Sequence, residues 1–180
     1  VVMDPNNGAV IGMAGVDRNP KTSKITDNVL GNINSSIVMG SVVKGAMVSG
    51  ALMDGVITPT NSVLTDQPIT TGGVKKSSWF NHNGGSNISV DASDALQVSS
   101  NSYMMQLAMK EAHFKYVEGG ALTMNPSIFN TMRGYFNQFG LGVKTGIDIP
   151  GESTGLKGAS GRSHIGSALD LSFGNYDAYT

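Results

Sequence analysis

The chain has 180 residues, a formal net charge of −1 at pH 7 and no cysteine, so we expect one domain with its own core and neither a disulfide nor a thiolate metal site. Its hydrophobic fraction of 39% and charged fraction of 14% are typical of a globular protein. The basic residues form no stripe and no apolar run reaches the roughly 18 residues of a membrane span, so we expect neither a nucleic-acid partner nor membrane contact by this chain.

The first predicted elements are two strands. Short apolar runs at residues 1–3 and 9–14 flank an Asp-Pro-Asn-Asn-Gly segment, in which Pro and Gly favour a turn. The pattern therefore predicts a β-hairpin. Residues 17–36 are polar and are expected to form a surface loop. Since Val1 already lies inside the strand pattern, we expect the sequence to be a piece of a longer protein.

The next predicted element is a helix that starts at Ser41. Apolar residues recur at helical spacing from there until Asp54-Gly55 supplies a stop. Residues 56–87 contain several prolines and glycines, and we expect an irregular stretch anchored by Trp79-Phe80.

Helical patterns dominate the second half of the chain. Ser89 is expected to cap a short helix, which residues 99–101 interrupt before a helix resumes as far as Glu111. Asn125-Pro126 opens a further helix that ends at Gly140, because Pro in the first turn costs no hydrogen bond. With few predicted strands, the chain is expected to be mostly helical.

Ser41 and Lys44 form a Ser-x-x-Lys motif. Three residues apart on a helix, the two side chains share a face, so the lysine amine can reach the serine oxygen. A serine hydroxyl is a weak nucleophile until a base takes its proton, and lysine serves as that base only if burial or a nearby positive charge lowers its pKa. Gly40 allows a sharp turn that places the serine at the helix N-terminus, where N–H groups stabilise a developing oxyanion.

Neither this motif nor the next one is specific alone. With 20 serines and 9 lysines in the chain, about one Ser-x-x-Lys is expected by chance, and a helix N-cap followed by a solvated lysine is the alternative. Ser99-x-Asn101 lies in a break between helical segments, where a hydroxyl can relay a proton and an amide can hold a peptide carbonyl. An ordinary polar connection is the alternative there. The three histidines are isolated, so we expect no metal ligand and no cofactor (His82, His113 and His164).

The order of these motifs resembles that of the class B penicillin-binding proteins, and within that family the 2B type of Gram-positive bacteria. Ser-x-x-Lys followed by Ser-x-Asn is the opening pair of the family's three motifs. Residues 3–13 are similar to the family's Asp-Pro-x-x-Gly hairpin, and residues 95–104 to its Ala-Leu-x-x-Ser-Ser-Asn segment. Residues 139–152 are similar to its Thr-Gly-Ile-Asp-Leu-Pro-Gly-Glu signature, and Leu-Thr-Asp-Gln-Pro-Ile at 64–69 is similar to the 2B type.

The resemblance implies an α+β fold, mostly α in these residues. It is part of the fold that penicillin-binding proteins share with serine β-lactamases, with the N-terminal hairpin and helical subdomain present and the C-terminal sheet strands missing. It also implies a D-Ala-D-Ala transpeptidase on the extracytoplasmic face of the cell membrane, anchored outside these residues. Its implied partners are peptidoglycan stem peptides, β-lactam antibiotics and other cell-wall synthesis proteins.

The same resemblance implies a role for each motif residue. Ser41 would be acylated by the donor stem peptide or by penicillin, with Lys44 as its general base. Ser99 would pass the proton to the departing amine, and Asn101 would hold the substrate amide.

The family's third motif, Lys-Thr-Gly, departs from the expected pattern. Lys144-Thr145-Gly146 lies inside the 139–152 signature, whereas the family's active-site Lys-Thr-Gly follows its Phe-Gly-Gln segment, here Phe173-Gly174-Asn175. We therefore expect residues 1–180 to be a partial transpeptidase domain that ends before the active-site strand. Such a piece is expected to be inactive or weakly active, since losing one oxyanion-hole donor costs about 10²–10³ in rate.

Two alternative functions stay open from the sequence. A serine β-lactamase or D,D-carboxypeptidase uses the same acylation chemistry, and rapid turnover of penicillin would distinguish it from a transpeptidase, which keeps a stable adduct. A non-catalytic module, either a penicillin sensor or a scaffold of the division machinery, is the other. The partner binding of a scaffold would survive Ser41→Ala.

Overall fold

The computed structural model describes all 180 residues and contains six α-helices and ten short strands. The helices are α1 (Gly31–Asn34), α2 (Lys44–Met53), α3 (Ala92–Gln97), α4 (Asn101–Glu111), α5 (Ile128–Gln138) and α6 (Ile165–Ser172). Two 3₁₀ helices, Gly40–Val43 and Arg162–His164, lead directly into α2 and α6.

The strands are β1 (Val2–Met3), β2 (Val10–Gly12), β3 (Val16–Arg18), β4 (Ile25–Asp27), β5 (Ile37–Val38), β6 (Leu64–Asp66), β7 (Ile69–Thr71), β8 (Val74–Lys76), β9 (Ile88–Val90) and β10 (Ala178–Tyr179). They form five separate antiparallel pairs, β1-β2, β3-β4, β5-β10, β6-β9 and β7-β8. The α+β prediction, mostly α in these residues, is confirmed.

The packed helices α2, α4, α5 and α6 form the core of the protein and position the motif residues. Helix α4 packs against α2, α5 and α6, and most of its side chains are buried, including Tyr103–Met105 and Leu107–Met109. Helix α2 approaches α5 closely because Gly50 faces the ring of Tyr135, where a Cβ atom would overlap that ring. The first residues of α2 and α4 are therefore held by a well-packed core, and these are the ends that carry the predicted motifs.

Several predicted elements are confirmed. The N-terminal hairpin pairs β1 with β2, with Val2 opposite Gly12 and Met3 opposite Val10. Helices are present after Ser41, from Asn101 to Glu111 and from Ile128 to Gln138, as the apolar periodicity indicates.

Other predictions are wrong. Residues 17–36 are not a loop, since they contain β4, α1 and most of β3. All residues of β3 and β4 are exposed, so neither strand has the alternation that marks a half-buried strand. Ser89 lies in β9, and Asp91 caps α3 instead by accepting a hydrogen bond from Asp94 N at 2.8 Å. Trp79 is no core anchor, because 67% of it is exposed.

The region from 56 to 87 is more regular than predicted. It contains β6, β7 and β8, each three residues long. Strands this short carry little periodic signal between the prolines and glycines that surround them. Helix α6 was not predicted either, because the last 40 residues are rich in glycine.

Candidate active site

Ser41 lies on the 3₁₀ turn that enters α2. Gly40 has φ +57°, a left-handed conformation that glycine adopts without strain, and its N–H donates to Gly174 O at 2.9 Å. This bond fixes the start of the turn to the segment that follows α6. Ser41 itself is exposed, so its hydroxyl is accessible to a substrate from outside.

Lys44, the first residue of α2, is only 2% exposed. Its Nζ donates to Ser99 O at 2.7 Å, to Ser99 Oγ at 3.0 Å and to Asn101 Oδ1 at 2.6 Å. Burial lowers the pKa of Lys44 to about 8, against the opposing effect of the negative charge on Asp66. An amine with this pKa is neutral in about a tenth of the molecules at pH 7, so it can act as a base near neutral pH.

Ser99 lies between the serine and the lysine. Its Oγ donates to Ser41 Oγ at 3.0 Å and accepts from Lys44 Nζ at 3.0 Å. The hydrogen bonds of Lys44 go to Ser99 and Asn101 and none goes to Ser41. Helical spacing predicted a direct approach of the amine to Ser41, whereas the structure links the two groups through a third hydroxyl.

The break between α3 and α4 presents Ser99 to the lysine in a strained backbone conformation. Ser99 has φ 55°, in the left-handed region that costs a non-glycine residue about 1–3 kcal/mol. Its N–H donates to Leu96 O at 3.1 Å, and Ser100 N donates to Ala95 O at 2.8 Å. Ser100 Oγ then caps α4 by accepting from Tyr103 N at 2.9 Å. Such strain persists where the surrounding contacts hold it, and it is frequent at functional sites.

The amide of Asn101 is fixed at both ends. Its Oδ1 accepts from Lys44, and its Nδ2 donates to Ser77 O at 3.2 Å. An amide nitrogen carries two hydrogens, so one remains for a ligand. The structure thus brings the four predicted residues together around one exposed hydroxyl (Ser41, Lys44, Ser99 and Asn101).

Lys144-Thr145-Gly146 has a different environment. Thr145 donates to Glu152 Oε1 from its backbone N–H at 2.6 Å and from its hydroxyl at 2.5 Å. These bonds lower the pKa of the Glu152 carboxyl. Both partners belong to the 139–152 segment, and none of their hydrogen bonds goes to the four residues around Ser41. The placement supports the interpretation that this tripeptide is part of that signature.

A buried polar layer lies behind the site, and no role was predicted for it from the sequence. Asp66 at the end of β6 is 0% exposed, and it accepts hydrogen bonds from Ser78 Oγ and Ser100 Oγ, both at 2.5 Å. Asp66 lies in the 64–69 segment and Ser100 in the 95–104 segment that are similar to the family, but neither residue was assigned a role from the sequence. Those two segments were the available signal, whereas Ser78 belongs to no motif and no periodicity indicates its burial.

No group of three or more His, Cys, Asp or Glu side chains that could hold a metal ion occurs. None of the helices is long and apolar enough to cross a membrane.

Comparison with known families decides which family this arrangement belongs to. The family model described as the penicillin binding protein transpeptidase domain matches residues 1–180, the whole chain. The chain belongs to this family. The resemblance to class B penicillin-binding proteins is thereby confirmed.

Individual relatives agree with this placement. Penicillin-binding protein 2A of Bacillus subtilis is 45% identical over 184 residues, which cover 100% of this chain and 25% of the relative. Penicillin-binding protein 2B of Streptococcus pneumoniae is 37% identical over 186 residues, which cover 100% of this chain and 26% of the relative. The chain therefore spans about a quarter of the length of the curated relatives it matches.

The fold agrees as well. A solved structure of penicillin-binding protein 2B from S. pneumoniae strain 5204 superposes with a TM-score of 0.86 at 34% identity, covering 99% of this chain and 29% of that one. The predicted relation to the transpeptidase fold is confirmed.

Proposed function

We propose that this chain is the part of a peptidoglycan D,D-transpeptidase domain that carries its nucleophile, and that Ser41 forms the acyl-enzyme with stem peptides and with β-lactams. The observation that carries the proposal is the hydrogen-bonded path from the exposed Ser41 hydroxyl through Ser99 Oγ to the buried amine of Lys44. Membership of a transpeptidase family supports this chemistry over that of a β-lactamase.

In the acylation step, the proton moves along that path. When Lys44 is neutral, both hydroxyls turn so that Ser41 donates to Ser99 and Ser99 donates to Lys44, opposite to the direction seen with the charged amine. Ser41 then gives its proton to Ser99 Oγ as Ser99 gives its own to Lys44 Nζ. Ser41 Oγ then bonds to the carbonyl carbon of the penultimate D-Ala. The C–N bond to the terminal D-Ala breaks, and the departing amine takes the proton back from Lys44 by way of Ser99.

In the cross-linking step, the same hydrogen-bonded path carries a proton for a second time. The amine of an acceptor stem peptide attacks the ester carbon, and its surplus proton passes to Lys44 through Ser99 as the new amide bond forms. The bond from Ser41 Oγ to the acyl carbon breaks, and the serine recovers a proton. The unused N–H of Asn101 donates to an amide carbonyl of the bound peptide and so holds it in place.

The proposal concerns the whole protein. Because the chain spans about a quarter of its curated relatives, we propose residues 1–180 as a partial transpeptidase domain that is inactive or weakly active by itself. Stem peptides, β-lactams and other cell-wall synthesis proteins are the proposed partners. Peptidoglycan lies outside the cell membrane, so we propose an extracytoplasmic location.

Mass spectrometry after benzylpenicillin tests the nucleophile. In the full-length natural protein that carries this chain, we expect a single penicilloyl adduct on the peptide that contains Ser41, and no adduct in Ser41→Ala. The adduct should persist for many minutes, whereas fast turnover would indicate a hydrolase. Cross-linking of stem peptides by the same protein would separate a transpeptidase from a sensor. An adduct on any other residue would contradict the proposal.

The pH dependence of acylation is a second expected result. Because neutral Lys44 is the active form and its pKa is about 8, the second-order acylation rate constant should rise about tenfold per pH unit below pH 7 and level off above about pH 9. Stopped-flow acylation with a fluorescent penicillin between pH 5.5 and 9.5 would measure this. A flat profile, or a midpoint below pH 6, would contradict the assignment of Lys44 as the base.

A further inference from the structure

A buried carboxylate lies directly behind the Ser99–Asn101 turn and has no role in the proton path. Asp66 Oδ2 accepts from Ser78 Oγ and Ser100 Oγ at 2.5 Å each, and Asp66 Oδ1 accepts from Asn81 Nδ2 at 3.2 Å. All four residues are buried. A buried carboxylate is costly unless it is well hydrogen-bonded, so these three donors are what make its burial possible.

The two serine hydroxyls connect this carboxylate to the backbone of the site. Ser78 Oγ accepts from the backbone N–H of Asn101 at 3.0 Å and of Ser102 at 3.1 Å. Ser100 Oγ accepts from Tyr103 N at 2.9 Å. Since each hydroxyl hydrogen points to the carboxylate, the hydroxyl lone pairs remain to accept from the first N–H groups of α4. The negative charge also lies at the end of the helix where it is favourable.

We propose that Asp66 is a positioning residue of the acylation site: through Ser78 and Ser100 it fixes the first turn of α4, and thereby holds Ser99 Oγ and Asn101 Oδ1 on Lys44 Nζ. This inference rests on the proposed function of the same site. It adds a residue that lies behind those proposed to contact substrate.

The geometry requires a carboxylate at this position and not merely a polar side chain. Both oxygens of Asp66 face donors, two hydroxyls on one side and the Asn81 amide on the other. An asparagine would direct its NH₂ group at donors in either orientation. With that group towards the serines, their hydroxyls would have to rotate and would no longer present the same lone pairs to the N–H groups of α4. With it towards Asn81, two amide NH₂ groups would face each other.

The strained conformation of Ser99 explains why such support matters. Its φ of 55° is unfavourable for serine, and the Lys44 contacts depend on where its carbonyl and hydroxyl point. When the first turn of α4 is loosened, Ser99 can relax to an ordinary conformation, and both contacts are lost together.

The charge of Asp66 provides a readout that a purely structural role would not change. The direct partners of Lys44 are uncharged, and Asp66 is the charged group that acts on its pKa, which it raises. Removing the charge in Asp66→Asn therefore lowers the pKa of Lys44 further and moves the midpoint of the acylation pH profile to lower pH. Loss of packing alone would instead expose Lys44 to water and move that midpoint to higher pH, because burial is what lowers its pKa.

The test compares Asp66→Asn with wild type in the full-length natural protein, using penicillin acylation from pH 5.5 to 9.5. We expect the plateau rate constant to fall about 10- to 100-fold, as for a misplaced catalytic group, and the midpoint to move to lower pH. Asp91→Asn is the matched control, because it removes one carboxylate from the cap of the preceding helix α3 while asparagine still caps well. It should leave the rate and the midpoint unchanged.

Ser78→Ala and Ser100→Ala extend the test to variants that keep the charge. Each should lower the plateau rate several-fold without moving the midpoint to lower pH, since the Asp66 charge remains. These variants provide the test if Asp66→Asn does not fold. Wild-type rates in both serine variants, or an unshifted midpoint in a folded Asp66→Asn, would overturn the inference. If wild type itself is not acylated at Ser41, the proposed function fails instead, so the two failures are distinguishable.

Discussion

Lys44→Met is expected to slow the acylation of Ser41 by penicillin about 10²–10⁴-fold, the usual contribution of a general base. The amine is the one basic group on the hydrogen-bonded path from Ser41. Methionine has a similar length and suits a position that is 2% exposed. The fold should therefore survive, with a modest loss of stability from the acceptors on Ser99 and Asn101 that lose their donor. A fluorescent penicillin, with melting temperatures measured in parallel, would give both quantities.

Lys76→Met is the matched control for this experiment. Lys76 is partly buried and carries an ion pair with Asp170, and its side-chain hydrogen bonds go to Asp170 and not to the four residues around Ser41. Its loss should leave acylation within about twofold of wild type, since partly exposed ion pairs contribute little. If Lys44→Met acylates within tenfold of wild type while Lys76→Met behaves the same, the base is another group.

Local signals account for the parts of the site that the sequence predicts. Gly40 before Ser41, and a helical period after it, place the serine and Lys44 on one turn, and the structure has them there. An interruption at residues 99–101 was also expected, and in the structure Ser100 caps α4 there. Each of these features depends on a few neighbouring residues, which is why one sequence is enough to predict them.

The contacts between distant segments could not be predicted in the same way. Ser99 lies between Lys44 and Ser41 because α3, α4 and α2 share a core, and its sequence separation from Lys44 is 55 residues. Helical periodicity reports which face is apolar but not what packs on that face. Val42 illustrates the limit: it fits the apolar spacing of the helix predicted from Ser41, yet it lies in the 3₁₀ turn before α2 and is 76% exposed.

Buried polar residues were the least predictable of all. Asp66 and Ser78 lie in a stretch whose prolines and glycines indicate irregular structure, and polar residues there are ordinarily exposed. Their burial depends on each other, because each supplies the hydrogen bond that makes burial of the other tolerable. No pattern in a single sequence encodes such mutual dependence.

Gly174→Ala is expected to disturb the 3₁₀ turn that carries Ser41. Gly174 has φ +89°, and a Cβ atom there would overlap the backbone of Gly40, which cannot rotate away as a side chain could. The hydrogen bond from Gly40 N to Gly174 O would be strained or lost. We expect a destabilisation of about 2–4 kcal/mol, from the backbone strain and the lost bond together. A displaced Ser41 should also acylate about 10²-fold more slowly.

Gly166→Ala, in helix α6 shortly before Gly174, is the control. It separates the effect of the overlap with Gly40 from a general cost of replacing glycine. Gly166 lies within α6, has no positive φ and has open space where its Cβ would be. Alanine there should stabilise the protein by about 0.5–1 kcal/mol and leave acylation unchanged. Urea unfolding gives the first quantity and penicillin acylation the second. If Gly174→Ala matched Gly166→Ala in both, contact between the two glycine backbones would not be what holds Ser41 in place.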